Sequence, residues 1–167
     1  MSVSDTDLVF LERCVALAAR AVAQGDEPFG SLLLSADGDV LLEDHNHVGD
    51  GDGTRHPELA IAQWAAVHVA PAERAATTVY TSGEHCPMCS AAHAWAGLGR
   101  IVFASSTAQL VGWLADLGVA PSPVAPLPIS QVAPGLRAEG PVPGLDEQVR
   151  ALHERYHADR RQSGRPR

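Results

Sequence analysis

Lysine is missing from this chain: all twelve basic residues are arginine. That excludes a Schiff-base lysine, a P-loop lysine and a kinase lysine. Cysteine is scarce, with only Cys14, Cys86 and Cys89 present. A small odd number argues against a disulfide framework, and Cys14, inside an apolar helical pattern, reads as a small core residue. No apolar run approaches the roughly 18 residues that would cross a membrane. The opening MSVSDTD is polar and acidic and does not read as an export signal, so a cytoplasmic protein is expected. Positive charge is short in the front of the chain. Residues 1–110 carry 14 Asp and Glu against 5 Arg, and residues 111–167 carry 6 against 7, for a total of −8. The front is thus about −9, which repels a polyanion and makes a nucleic-acid partner unfavourable.

What is present suits one globular domain over 1–167, with 46% apolar and 19% charged residues. Its core is expected at about 5–133, with a proline-rich segment at 121–143, a last helix at about 145–161 and a disordered tail at 162–167. Leu8, Leu11, Val15, Ala18 and Val22 alternate spacings of three and four, the mark of an amphipathic helix over Asp5 to Gln24. Ser4 and Asp7 can form a capping box and Gly25 a stop. Two short apolar runs, Ser31–Ser35 and Val40–Leu42, flank Asp37-Gly38 and read as a hairpin. The Gly- and Asp-rich stretch 47–55 must be a loop. Pro57 opens a helix reaching about Val69, and Pro71 marks its end. Thr77–Thr81 reads as a strand, Cys86–Ala96 as a helix, Ile101–Ala104 as a strand and Ala108–Leu117 as a helix. That alternation predicts an α/β fold with a largely parallel sheet. Gln131–Ala133 is expected as a short edge strand. Seven of the twelve prolines lie between Pro121 and Pro143, too near the end to link two domains. Val149, Leu152 and Tyr156 share one face of the last helix.

Three features carry chemistry: Asn46, then His56-Pro57-Glu58, then Cys86-Pro87-Met88-Cys89. Two cysteines separated by two residues converge at a helix start, where the dipole favours thiolate. Alone, the pair fits a redox dithiol, half of a structural zinc knuckle or part of a catalytic zinc site equally well. A redox pair usually sits in the first third of its fold, after a single strand; this one comes late. A closed structural zinc needs four protein ligands, whereas only His56, Cys86 and Cys89 stand at helix starts. Three ligands leave a position for water, as in catalytic zinc sites. Glu58, two residues past His56, would project near the same place and could move a proton. Taken alone it reads first as a first-turn acid of the kind the helix dipole favours.

His-Pro-Glu followed after about 27 residues by Cys-Pro-Met-Cys resembles the zinc-dependent cytidine and deoxycytidylate deaminase superfamily. The likeness runs from Glu27 to about Ser105. It takes in Pro28-Phe29-Gly30, Asn46, Thr81-Ser82-Gly83-Glu84, and Ala94-Trp95-Ala96-Gly97 with Arg100-Ile101-Val102-Phe103. His85 departs from the family, which has proline before the first cysteine. His85 could shift the loop, line the pocket, support a ligand or compete as one. The resemblance implies a three-layer α/β/α sandwich around a mixed sheet of about five strands. It implies one Zn2+ per chain on His56, Cys86 and Cys89, with Glu58 as general acid and base.

Asn46, by the same resemblance, meets a ring edge showing C=O beside N–H, and the carbonyl of Ser82 or Gly83 takes the amino group. Phe29, Trp95 and His93 are stacking candidates, with core packing as the other reading. The first ligand being His, and the absence of a basic surface or a phosphate-binding Arg cluster, point toward free bases: guanine, cytosine or a triazine analogue. The pattern looks closest to guanine deaminases. Residues Leu145–Tyr156 would then close over the pocket and bring Glu147, His153 or Tyr156 to the base. Asp116, Glu139 and Asp146 remain open as the carboxylate a guanine site wants. A homodimer is expected. A nucleoside deaminase, a tRNA-adenosine deaminase and a non-catalytic zinc-stabilised interaction module stay as alternatives.

Overall fold

A computed structural model describes residues 3–163. Helix α1 (Asp5–Gln24) begins with the expected capping box: the Ser4 hydroxyl accepts from the Asp7 amide and the Asp7 carboxylate accepts from the Ser4 amide. It ends at Gly25, whose φ of 89° only glycine adopts without strain. Strands β1 (Gly30–Leu34) and β2 (Val40–His45) form the hairpin, and a loop with one 3-10 turn leads to α2 (Pro57–His68). A short α3 (Pro71–Arg74), β3 (Thr78–Gly83), α4 (Pro87–Ala96), β4 (Arg100–Ser105) and α5 (Thr107–Asp116) follow. The proline-rich segment is ordered and carries α6 (Ile129–Val132) and β5 (Ala138–Glu139), before α7 (Leu145–Ser163).

The sheet runs β2-β1-β3-β4-β5. The hairpin strands pair antiparallel, as do β1 and β3, whereas β3–β4 and β4–β5 are parallel. The sheet is therefore mixed, as the resemblance implies, and its strands after residue 57 pair parallel as the alternation there predicts. A two-strand hairpin at one edge forces the antiparallel pairings, because only a helical crossover sets strands parallel. Gln131–Ala133 is not the edge strand; Ile129–Val132 is helical and the edge falls at Ala138–Glu139. Pro128 starts that turn of helix, and Pro134 ends it. The last helix also continues through Gln162 and Ser163, beyond the end the sequence predicts for it; residues 164–167 lie outside the described residues.

Strand alternation sorts the core. Leu32, Leu34, Tyr80, Val102 and Ala104 meet α1, α5 and α7 on one face. Leu33 and Val79 meet α2 and α4 on the other, and Ile101 and Phe103 pack there against Ile129 of α6. Sheet and helices thus make the three-layer sandwich. At Gly30 a Cβ would lie 2.5 Å from the Cys14 carbonyl oxygen and from Leu17 Cβ, so glycine lets β1 run against α1.

The two halves of the chain are tied by Asp7. Its carboxylate accepts from the Tyr80 hydroxyl at 2.6 Å and from the Arg100 guanidinium at 2.8 and 3.1 Å. Arg100 reaches on to Glu139 of β5. Burial alone would raise the Asp7 pKa, but Arg100, Tyr80 and Ser4 outweigh it and hold the carboxyl well below the usual range. We expect Asp7→Asn to cost roughly 2 kcal/mol, from lost hydrogen bonds to a charged group, read as a Tm about 4–8 °C lower. A carboxyl with a depressed folded pKa contributes fully above its unfolded value of about 4, and the contribution fades as pH falls. Wild-type and variant melting curves should therefore converge in acid.

Candidate active site

The C-terminal ends of β2 and β3 lie at the same edge of the sheet as the N-terminal end of β1, because β1 runs antiparallel to both. The starts of α2 and α4 open at that edge. His56 is the N-cap of α2 and Cys86 the N-cap of α4, with Cys89 one turn further. The Cys86 and Cys89 sulfurs each lie 3.6 Å from His56 Nδ1, and one ligand atom from each of the three falls within 4.8 Å of the others. A tetrahedral zinc with Zn–S of about 2.3 Å and Zn–N of about 2.0 Å sets sulfur–nitrogen separations of about 3.5 Å. The donor set therefore fits a zinc ion. The protons respond to the same crowding. Cys89 and His56 pull the Cys86 thiol down to about 4, against burial. Burial works to lower the His56 pKa, but Cys86 and Glu58 push it up to about 9. Cys89 is driven up by Cys86 and by burial.

Glu58, in the first turn of α2, is only 5% exposed. Its Oε1 lies 3.0 Å from Ser31 Oγ and 2.9 Å from Thr81 Oγ1, and its Oε2 faces the Cys89 sulfur at 3.8 Å. Burial raises its pKa, with the His56 charge opposing. Ser31 and Thr81 are paired across β1 and β3; Thr81 Oγ1 also reaches the Gly83 carbonyl and Ser31 reaches Thr81. Sequence reasoning missed both hydroxyls. The alternation could have found them, since residues 31, 33, 79 and 81 share the face that meets α2.

Phe29 stacks on His56 at 6.4 Å between centroids, and His153 of α7 meets it edge-on at 5.3 Å. Gly83 fits under this ring: a Cβ there would lie 3.0 Å from Phe29 Cε1. Asn46 is fully buried, its amide oxygen accepting from Val48 N while Nδ2 has no partner among the described residues. His153 Nε2 and both ring nitrogens of His85 are buried without partners among them too. Ser82 is engaged already: Oγ accepts from Gly30 N and its carbonyl from Ser105 Oγ. Glu84 takes the Thr107 amide on one carboxylate oxygen and the Ile129 amide on the other, anchoring the starts of α5 and α6 beside the metal loop.

The remaining candidates have other surroundings. Trp95 is 91% exposed, so it does not stack on a ring within its own chain. Its helix turns that position outward while Cys89, Ser90 and His93 face in. His93 is a core residue whose Nε2 donates to the Gly99 carbonyl, closing the turn after α4. His85 does not join the metal-ligand group among the described residues; it packs edge-on against His93 at 5.3 Å. Tyr156 is buried on α7 and its hydroxyl accepts from Arg160. Of the carboxylates left open, Glu139 is held by Arg100 and Arg137, and Asp146 accepts from Gln109 and from two amides at the start of α7.

Burial lowers the His153 pKa to about 3. An unfolded histidine titrates near 6.5, so below that pH the unfolded chain binds a proton the fold refuses. We expect wild type to lose up to about 1.4 kcal/mol of stability per pH unit below 6.5 from this group. In His153→Phe, melting temperatures measured from pH 7 to pH 5 should fall less steeply; an unchanged slope would count against a buried neutral imidazole.

Residues 4–105 match the family described as the cytidine and deoxycytidylate deaminase zinc-binding region. The chain is 32% identical over 108 residues to a probable cytosine deaminase of Schizosaccharomyces pombe, covering 65% of each chain. It is 34% identical over 98 residues to a guanine deaminase of Bacillus subtilis, covering 58% of this chain and 62% of that one. The chain thus spans a little under two thirds of these relatives. The solved guanine deaminase of Nitrosomonas europaea superposes with a TM-score of 0.66 over 95% of this chain and 87% of that chain, at 20% identity. At that identity the likeness speaks for the fold.

Proposed function

The chain belongs to the cytidine and deoxycytidylate deaminase zinc-binding family, and from that footing we propose that it hydrolytically deaminates a free amino-substituted nucleobase, guanine or cytosine, releasing ammonia. The observation that carries the reading is Glu58: a buried carboxylate held by two hydroxyls beside His56, Cys86 and Cys89. A purely structural zinc has no use for such an acid, which speaks against a non-catalytic interaction module.

His56, Cys86 and Cys89 would hold the zinc, which when bound makes water a stronger acid and nucleophile at neutral pH. Glu58 accepts a proton from the attacking water as its oxygen bonds to the ring carbon bearing the amino group. It then delivers that proton to the adjacent ring nitrogen. The proton still on the newly attached oxygen, passed through Glu58 to the amine, lets the carbon–nitrogen bond break; ammonia leaves and a carbonyl remains. Ser31 and Thr81 hold Oε1 in place through these transfers. Phe29 offers a flat apolar wall.

The unpartnered nitrogens of Asn46, His85 and His153 support a small polar ring as occupant, since buried polar groups without partners are costly. A phosphate finds little welcome: Arg55, the arginine nearest the motif in sequence, is paired with Asp50. Exposed Trp95 on α4 and Val67 on α2 support pairing of two copies into a homodimer. The test is ammonia release by zinc-loaded protein offered guanine, cytosine, adenine, aminotriazines and the matching nucleosides. Turnover of one free base with its nucleoside inert is the expected result. Activity on nucleosides alone would overturn the free-base reading, and silence across the panel with zinc bound would overturn the enzymatic one.

A further inference from the structure

A second group of metal-ligating side chains stands outside the site described above. Asp26, His45 and His47 each bring one ligand atom within 4.8 Å of the others. They come from three separate places: just past the C-cap of α1, the last residue of β2, and the loop after it. Asp26 and His45 are buried, at 8% and 6% exposed. From these residues we propose a second site for a divalent transition metal, distinct from the cysteine-containing one.

The hydrogen bonds around the two imidazoles carry the argument. His45 Nδ1 lies 2.9 Å from the Asn46 carbonyl oxygen, which can only accept. Nδ1 therefore holds the proton and Nε2 keeps its lone pair. His47 Nε2 lies 2.8 Å from an Asp44 carboxylate oxygen, so its proton sits there and Nδ1 keeps the lone pair. Metal-binding histidines are fixed in this way, one nitrogen donating to a carbonyl or carboxylate while the other is left for the metal. Asp26 Oδ1 accepts from Gly49 N at 2.7 Å, and a carboxylate has about four acceptor positions in all, so capacity remains. Gly49 permits that approach: a Cβ there would lie 2.8 Å from Asp26 Oδ1. The two rings lie 4.4 Å apart, already close enough to converge.

Two imidazoles and one carboxylate suit zinc, cobalt, nickel or iron(II), and not the hard cations that prefer oxygen alone. A bound ion would fasten the end of α1, the end of β2 and the 47–55 loop together. It would leave the remaining coordination positions to water.

The test strips the full chain with chelator, reloads it with Zn2+, removes free metal by gel filtration and counts metal per chain by mass spectrometry. We expect two ions in wild type, one in His47→Ala and one in Cys86→Ala. The partly exposed His47 should tolerate its change, checked by circular dichroism. Asp44→Asn, which leaves all three ligands in place, should weaken the second ion by about 10–100-fold. With Co2+ in Cys86→Ala, the ion left in the Asp26 site should show d–d bands without the sulfur-to-metal charge-transfer band that accompanies cysteine ligation. One ion per wild-type chain, or two ions surviving in both His47→Ala and Asp44→Asn, overturns the proposal. None of these outcomes depends on catalytic turnover.

Discussion

Replacing Glu58 by glutamine should lower kcat by at least about 100-fold, the low end for a group that moves protons in the transition state, while zinc content and KM stay close to wild type. The geometry makes this a clean comparison. Glutamine keeps an acceptor at the position where Ser31 and Thr81 meet Oε1, and its amide nitrogen replaces Oε2 opposite the Cys89 sulfur. Packing and the hydroxyl pair survive; the ability to take up and return a proton does not. Burial, which raises the Glu58 pKa against the His56 charge, serves the same end, because a raised carboxyl pKa makes the protonated form a more available proton donor. Steady-state ammonia release, with metal analysis on the same samples, decides the matter. Equal turnover in Glu58→Gln would remove the proposed mechanism. Glu58→Ala is the poorer variant, since it leaves two buried hydroxyls facing a cavity.

Cys86→Ala should abolish activity and remove zinc from the catalytic site, with a stability loss that exists only when metal is supplied. Cys86 caps α4 and lies within reach of both other ligands. Without it two protein ligands remain, too few for a structural or catalytic zinc site. Binding stabilises the fold by about 2.7 kcal/mol when free metal is 100 times the dissociation constant, which translates to roughly 5–10 °C in Tm for a chain of this size. Chelator should therefore lower the Tm of wild type by more than that of Cys86→Ala, which has only the Asp26 group left to hold an ion. A variant that keeps the wild-type response to chelator would show that the catalytic ion is held elsewhere.

The α1 cap and most helices were legible because each rests on a local rule, whereas the gathering of His56, Glu58, Cys86 and Cys89 was implied by the family resemblance. A cysteine pair at a helix start, proline at a first helical position and a glycine stop all act within a few residues. Pairing beyond that range was not legible. Whether β1 lies parallel or antiparallel to β3 depends on which strands become neighbours, and apolar runs of similar character do not say. Ser31 and Thr81 matter only because register sets them side by side, fifty residues apart in sequence. Trp95 failed for another reason: it sits in a motif whose neighbours face inward, and one step along a helix turns a side chain by about 100°. Gln131–Ala133 looked extended because prolines surround it, yet Pro128 starts a turn of helix.

The three tryptophans occupy unlike surroundings, and that gives the protein an optical readout. Trp95 stands in water at 91% exposure, while Trp113 is 9% exposed with its ring 6.1 Å from that of His153. Trp95 emission should therefore be indifferent to what happens inside, and red unless a second copy covers it. Trp113 reports on whether α7 is seated over Phe29, because lifting the helix would hydrate the indole and take the imidazole away from it. With Trp95→Phe and with Trp64, stacked on His68 of α2, also changed to Phe, the emission maximum becomes a stopped-flow signal for the seating of that helix, available without any added dye.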